Sequence, residues 1–244
     1  MIHYFDSLPS TNKYCELLDL STVEEFAVFC ALEQTAGIGQ QKSQWVSDAN
    51  KNLTFSLILH PAFLPVQDQF MLSKVLSLAI CEWLDERASV RSQIKWPNDI
   101  YIGDRKICGI LTSTRINGPH LEHAICGIGL NLNQTVFPDW VPNPTSLQLI
   151  SHQESDLQES LESLIRAIAG RYSDLQSRSW EEINAHYLNR LYRYEAPSLY
   201  RYHDAIIQAT IKGVNRFGHL QLLTSDGAPL SCSMKEIQYI IHPQ

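Results

Sequence analysis

The 244-residue sequence lacks a long apolar run and has no excess of positive charge. No apolar stretch approaches the roughly 20 residues of a membrane-spanning helix, and the opening MIHYFDSLPSTN has neither the basic nor the apolar region of a signal peptide. The formal net charge of −7 disfavours a surface built to hold nucleic-acid phosphates. We therefore expect a cytoplasmic protein that binds neither membranes nor DNA.

Several common functional signatures are also missing. The sequence contains no GxSxG or HExxH motif, and the Gln34–Trp45 segment lacks the GxxxxGK[ST] pattern of a P-loop. His120 and His123 form an isolated HxxH pair in a predicted turn, so no metal ligands are assigned. The cysteines contain no CxxC pair, and we expect buried, reduced thiols rather than disulfides or a zinc cluster. They are Cys15, Cys30, Cys81, Cys108, Cys126 and Cys232.

What is present predicts a folded α/β unit, since 44% hydrophobic residues suffice for a substantial core. Ser10 or Thr11 is a candidate N-cap for a first helix. The apolar spacing from Phe70 to Leu84 predicts a helix with one buried face that packs on a sheet. The remaining apolar runs are typical of strands, the last four forming a meander. These runs are FAVFCALE, NLTFSLILH, VRSQIKWP, NDIYI, RKICGILTST and HAICGIGLNL.

The second half of the chain changes character. A long amphipathic helix is predicted from Leu157 to Leu175, and Ser179 with Glu182 has the spacing of a capping box that starts another helix. After about Glu195, short β-like runs and glycine turns favour a small C-terminal barrel. No repeat or long linker is found, so both parts should pack tightly together.

The segment KWPNDIYIGDRKICGIL places polar groups within apolar strands. Lys95 lies between Ile94 and Trp96 in a predicted strand, where its ammonium could simply extend to solvent over an apolar surface. Glycines in neighbouring strands, such as Gly109 and Gly129, weaken a sheet and often mark the close approach of a ligand or of another backbone. The residues alone leave both readings open.

Taken in order, these motifs resemble those of the biotin protein ligases, in particular the short form without an N-terminal DNA-binding domain. About nine residues precede Ser10, too few for a helix-turn-helix module, so no DNA binding is expected. The resemblance spans most of the chain. Its motifs are STN (residues 10–12), QTAGxGQ (34–40) with Trp45, KWPNDIY (95–101), KICGIL (106–111), GIGLN (127–131) and PTSL (144–147).

The resemblance implies a fold and an activity. The fold would be a class II synthetase-like catalytic domain with a mixed sheet over residues 1–192, followed by an SH3-like β-barrel over residues 193–244. The activity would form biotinyl-5′-AMP from biotin and ATP, with Mg²⁺, and transfer biotin to a lysine of a biotin carboxyl carrier domain. A homodimer is one option for its assembly.

The resemblance also assigns roles to residues. Lys95 would be catalytic and would contact both substrates. Biotin would be bound by Ser10, Thr11, Asn12, Gln34, Gly37, Lys95, Gly109, Gly127 and Gly129. ATP or the adenylate would be bound by Ile38, Gly39, Gln40, Trp45, Lys95, Asn98, Lys106 and Asn131.

One position departs from the family pattern. The family loop usually reads GRGR or GRGQ, whereas this chain has Ile38 between Gly37 and Gly39, with Lys42 and Lys51 as the nearby cations. A guanidinium clamps phosphate and carboxylate oxygens through paired donors, which isoleucine cannot do. Two alternatives therefore stay open: a lipoate or octanoate transferase of the same superfamily, and a biotin-binding protein with impaired ligation.

Overall fold

A seven-stranded mixed sheet forms the centre of the computed structural model, which describes residues 1–40 and 43–241. The strand order is β1-β2-β3-β7-β6-β5-β4. β1 and β2 pair in parallel and all other neighbours are antiparallel, which confirms the predicted mixed sheet and its meander. The strands are β1 (Ile2–Leu8), β2 (Val28–Gln34), β3 (Leu53–Leu59), β4 (Gln93–Lys95), β5 (Asp99–Ile102), β6 (Arg105–Asn117) and β7 (His120–Leu130).

Five α-helices accompany this sheet in the described part of the chain. They are α1 (Thr11–Glu16), α2 (Phe70–Ala88), α3 (Leu147–Ser151), α4 (Leu157–Gln176) and α5 (Trp180–Asn189). α2 packs on β4, β5 and β6 as predicted, but α4 and α5 cover its other side. The expectation of a single buried face is therefore wrong for α2, which is buried nearly all round.

The starts of two helices can be compared directly. Ser10 has an extended backbone, and its Oγ accepts a hydrogen bond from the Lys13 amide, so it caps α1. Ser179 precedes α5, but its side chain makes no capping bond, and its Oγ lies 3.2 Å from the Ser177 Oγ. The predicted capping box is wrong because the ψ of Ser179 is 42° rather than extended.

A second, five-stranded antiparallel sheet follows, in the order β11-β10-β9-β8-β12. Its position agrees with the predicted C-terminal β unit, whereas a closed SH3-like barrel and the division at residue 192 stay predictions. One hydrophobic core includes residues of both sheets, such as Leu57 and Ile211. The strands are β8 (Ser198–Tyr202), β9 (Ala205–Val214), β10 (Leu220–Thr224), β11 (Pro229–Cys232) and β12 (Ile237–Tyr239).

The turn between β9 and β10 attaches the second sheet to the first. Arg216 Nη2 donates to Asp68 Oδ2 at 2.6 Å, and Trp96 Nε1 donates to the Gly218 carbonyl at 2.9 Å. A Cβ on Gly218 would lie 2.5 Å from the Phe70 ring, so glycine is needed for this close contact. The two sheets are thus joined next to the KWPND turn.

The sequence predictions about cysteine and histidine have different outcomes. All six cysteines are free and buried, as predicted. His120 and His123 lie in β7 and not in a turn, because the hairpin turns at Gly118, and the His123 ring packs on His60. In the described ranges, no group of three side chains suited to a metal ion is found.

Among the described helices, none combines the length and apolarity that a membrane crossing requires.

Candidate active site

A cavity of about 300 Å³ lies between α1, the β4–β5 turn, β6, β7 and the segment that ends in β12. This volume is at the lower end of the range for small-molecule sites. Gly37 and Asn131 do not line it, although the sequence analysis placed them in the site. The predicted residues that it brings together are Ser10, Thr11, Asn12, Gln34, Ile38, Gly39, Gln40, Trp45, Lys95, Asn98, Lys106, Gly109, Gly127 and Gly129.

One part of the cavity wall is a network of polar side chains at the start of α1. The Thr11 amide donates to Gln34 Oε1 at 2.8 Å. Ser56 Oγ lies 2.6 Å from Asn12 Oδ1, and Asn12 Nδ2 donates to the Leu111 carbonyl at 3.3 Å. Because these groups are buried or half-buried and already hydrogen-bonded to one another, their positions are fixed before any ligand arrives.

The glycines of β6 and β7 lie directly beneath side chains. A Cβ on Gly127 would lie 2.3 Å from Asn12 Oδ1, and a Cβ on Gly129 would lie 2.3 Å from the Trp45 ring. A Cβ on Gly109 would lie 3.2 Å from the same ring. Side chains, and not another backbone, therefore lie against these glycines, and the approach of a ligand stays a prediction.

Trp45 carries an unused hydrogen-bond donor. Its Nε1 is buried and has no partner in the described part of the chain, and its ring centroid lies 5.7 Å from Lys106 Nζ. A buried N–H without an acceptor costs free energy. Trp45 therefore lines the cavity next to Lys106, while its indole N–H is buried without an acceptor among the described residues.

Two lysines and one aspartate form the charged part of the site. Lys106 Nζ lies 2.6 Å from Asp99 Oδ1, and Lys95 Nζ lies 3.7 Å from Asp99 Oδ2. The sheet explains this grouping, since Lys95 pairs with Asp99 across β4 and β5, and Asp99 faces β6 on its other side. Burial lowers the pKa of Lys95, and the Asp99 carboxylate raises it in part. Two cations against one carboxylate leave a net positive charge that favours an anionic ligand.

Other predicted residues support the wall from behind. Asn98 lines the cavity, but its Nδ2 donates to the Ile110 carbonyl at 2.6 Å and so ties the β4–β5 turn to β6. Asn131 is buried outside the cavity, where its Nδ2 donates to the Thr145 carbonyl. The Gly37 carbonyl accepts from the Trp45 amide at 3.0 Å. These three residues hold neighbouring segments in place.

The sequence reasoning missed several residues of the site. Asp99 stands within the KWPND motif, but no role is assigned to it in the sequence analysis. Met234, Ile237, Gln238 and Tyr239 line the cavity from the second sheet. No local pattern indicates that this segment reaches Lys95, because the contact depends on how the sheets dock.

Comparisons with known proteins agree with this arrangement. The sequence profile of the biotin/lipoate A/B protein ligase family matches residues 4–131. The bifunctional ligase/repressor BirA of Bacillus subtilis is 32% identical over 183 residues, which cover 74% of this chain and 56% of that protein. The biotin--[acetyl-CoA-carboxylase] ligase of Paracoccus denitrificans is 31% identical over 202 residues, with 79% and 82% covered. The chain thus spans little more than half the length of the Bacillus relative.

Solved structures share the fold. The biotin protein ligase from Aquifex aeolicus in complex with biotin and ATP superposes with a TM-score of 0.82 at 23% identity, covering 98% of this chain and 99% of that one. The Leishmania major biotin protein ligase in complex with biotin gives a TM-score of 0.65 at 21% identity, covering 96% and 98%. These likenesses confirm the predicted α/β fold with its C-terminal β unit. Since the family profile covers more than half of its residues, the chain belongs to the biotin/lipoate A/B protein ligase family.

Proposed function

We propose that this chain is an ATP-dependent biotin protein ligase, which forms biotinyl-5′-AMP and transfers biotin to a lysine of a biotin carboxyl carrier domain. One observation carries the proposal: a single cavity joins the hydrogen-bonding network of Thr11, Asn12 and Gln34 to the cations Lys95 and Lys106. The names of the relatives from Paracoccus and Aquifex support it.

The first chemical step explains the charged part of the site. The biotin carboxylate attacks the α-phosphorus of ATP and expels pyrophosphate, so negative charge collects around the reacting oxygens. Lys95 supplies a compact positive charge there, in a position where only 19% of its side chain is exposed. In the second step, the carrier amine forms an amide with the biotin carbonyl carbon, and AMP leaves.

The polar network and the glycines suit biotin. Ser10, Thr11 and Gln34 would hydrogen-bond the ureido group, with Asn12 fixing their arrangement through Ser56. The bicyclic body would lie over β6 and β7, next to the Asn12 and Trp45 side chains for which Gly127 and Gly129 leave space. A small apolar ligand held by a few fixed polar groups is the usual design of such pockets.

The Trp45 side of the cavity suits the nucleotide. Trp45 would pack against the adenine, Lys106 would contact phosphate oxygens, and the turn of Ile38, Gly39 and Gln40 would cover them. Gly37, Asn98 and Asn131 would act indirectly, because their hydrogen bonds hold the Trp45 backbone, the β4–β5 turn and the segment at Thr145.

Mg²⁺ is part of the same proposal. When bound, the ion would neutralise phosphate charge. Asp99 is the acidic residue that lines the cavity in the described ranges, and both lysines already engage it. Mg²⁺ commonly keeps several waters and binds through substrate phosphates, so we propose that the triphosphate, not a protein cage, holds it.

Pyrophosphate exchange tests the proposal. The protein is incubated with ATP, Mg²⁺ and labelled pyrophosphate, together with biotin, lipoate, octanoate or no acid. Exchange that requires biotin supports the ligase, while exchange that requires lipoate or octanoate supports the alternative transferase. No exchange, combined with biotin binding in calorimetry, would indicate a binding protein and refute ligation. Transfer is then measured by mass spectrometry of a purified carrier domain.

The finer expectations belong to the same proposal: a cytoplasmic location, no DNA partner, and a homodimer as one option. Sedimentation velocity with and without biotin measures the oligomeric state. A competitor-resistant gel shift at physiological salt would contradict the expectation about DNA.

A further inference from the structure

We propose that Tyr239, from the C-terminal sheet, is a positioning residue that holds the Lys95 ammonium in the cavity through the face of its ring. The inference rests on the proposed function, because it concerns the lysine that acts in adenylation. It makes the second sheet part of the active site.

The Lys95 ammonium lies against two aromatic rings. Its Nζ is 5.0 Å from the ring centroid of Tyr239 and 5.4 Å from that of Tyr101. The Asp99 carboxylate, at 3.7 Å, is beyond the usual length of a hydrogen bond. A cation is attracted to a ring face within about 6 Å, and the attraction grows when water is excluded. The rings therefore contribute to holding the charge.

Tyr239 is itself held firmly by its neighbours. It ends β12, where it pairs with Tyr200 of β8, and the two rings meet edge to face with centroids 5.2 Å apart. Its ring also lies 6.0 Å from that of Tyr192, which in turn packs on Tyr101. These four tyrosines form a continuous cluster between the two sheets.

The hydroxyl of Tyr239 makes no hydrogen bond in the described part of the chain. It is buried without a hydrogen-bond partner, and burial raises the pKa of Tyr239 well above 10. The ring thus stays neutral through the pH range in which a buried lysine titrates. The ring face, and not the hydroxyl, is the group that serves Lys95.

The charges around Lys95 determine the effect of removing the ring. Burial lowers the pKa of Lys95 most, Asp99 raises it, and Lys106 and Arg193 lower it further. Without the Tyr239 face, the ammonium loses a favourable contact while these other groups stay. Lys95 should then lose its proton at lower pH and sample more positions.

The test compares Tyr239→Phe with Tyr239→Leu in the full chain. Biotin-dependent pyrophosphate exchange is measured from pH 6 to 10. Tyr239→Phe should keep the rate and the alkaline limb of the wild type. Tyr239→Leu should lower kcat roughly ten- to thirtyfold and move the alkaline limb to lower pH. Tyr202→Leu, in the same sheet but away from Lys95, is the matched control.

A second measurement keeps the inference separate from the proposed function. Lysines are ¹³C-methylated and titrated by NMR, with the Lys95 signal identified from Lys95→Arg. Tyr239→Leu should lower the titration midpoint of Lys95 even if the wild type exchanges no pyrophosphate. The role of the ring would be overturned if Tyr239→Leu left the titration midpoint of Lys95 unchanged. It would also be overturned if Tyr239→Phe and Tyr239→Leu lowered the exchange rate equally. If Tyr239→Leu does not fold, Tyr239→Met replaces it.

Discussion

Lys95 shows how a single side chain can be costly to bury and still be retained. Its ammonium is largely removed from water and shares one carboxylate with Lys106. Lys95→Ala should leave a folded protein whose biotin-dependent exchange falls about 100- to 1000-fold, the usual loss when a preorganised charge is removed. Lys212→Ala, an exposed position on β9, serves as the control. Near-normal exchange by Lys95→Ala would rule out the proposed role.

Ile38 concerns retention of the intermediate. Ile38 lines the cavity and forms an isolated antiparallel β-bridge with Gln44. The Gly39 amide donates to the Ser43 carbonyl at 2.7 Å, which closes the turn. Lys51 is exposed and does not line the cavity, while Lys42 lies outside the described residues. The described turn thus places no cation at the position where relatives carry arginine.

We therefore predict that Ile38→Arg slows dissociation of the adenylate. A charge-assisted hydrogen bond contributes about 1.5–3 kcal/mol, which corresponds to roughly ten- to a hundredfold. The rate is measured by chasing preformed labelled complex with unlabelled biotin, and labelling of a bystander protein should fall in parallel. Ile38→Met controls for side-chain length. Dissociation that is unchanged or faster in Ile38→Arg would show that charge is already supplied elsewhere.

At the residue scale, the sequence indicated the site well where a motif is contiguous. Lys95, Lys106 and residues 10–12 do line one cavity. Asn131 lies outside the cavity because its motif continues past the end of β7 into the buried segment at Thr145, and its predicted role toward ATP stays a prediction. Tyr239 was missed because its contact with Lys95 depends on docking between sheets, which no local pattern encodes.

Among the elements, α2 carries a buried charge. Lys74 donates to Asn184 Oδ1 at 2.5 Å and lies 5.4 Å from the Tyr187 ring centroid. Burial lowers the pKa of Lys74 to about 8. Below that pH the folded state must hold an ammonium in an apolar setting, which costs about 3 kcal/mol relative to an unfolded chain with a lysine pKa near 10.4.

Lys74→Met should remove this cost. The unfolded state binds more protons than the folded state between about pH 8 and 10.5, so the wild type gains stability as pH rises through that window. The variant should be about 1–3 kcal/mol more stable at pH 7 and lack this gain. Urea unfolding from pH 7 to 10 measures both effects, with Lys212→Met as control. A less stable variant with an unchanged pH slope would contradict the prediction.

Periodicity predicted most elements but not all. β1 was missed because IHYFDSL is only partly buried and alternates weakly. β8 was not among the predicted short runs, because SLYRY has only five residues and Tyr200 as its buried one. The extent of burial around α2 could not be predicted, because it depends on α4 and α5 lying on the far side from the sheet.

For the whole molecule, the β9–β10 turn is the attachment point to test. Gly218 and Gly227 have nearly equal φ angles of 85° and 86°. A Cβ would meet Phe70 at Gly218 but nothing within 4 Å at Gly227. Gly227→Ala should cost about 1–2 kcal/mol from backbone strain alone, and Gly218→Ala about 1–3 kcal/mol more from overpacking.

Urea unfolding of both variants gives the difference. Gly218→Ala should also reduce pyrophosphate exchange, since the Gly218 carbonyl accepts from Trp96 beside the site. Equal losses of stability in the two variants would mean that the turn and Phe70 move apart without a cost in free energy. The contact between the β9–β10 turn and α2 would then not stabilise the protein.

The cavity wall runs from Ser10 to Tyr239 along the chain. During translation, the ribosome adds about 5–20 residues per second, so on the order of ten to fifty seconds separate the synthesis of these two ends of the wall. The polar network at α1 uses no residue beyond Leu111, whereas the β12 side of the wall is absent until Tyr239 has left the exit tunnel. Under the proposed activity, an incomplete polypeptide without the β12 side would form the reactive adenylate more slowly beside the lysines of neighbouring nascent chains.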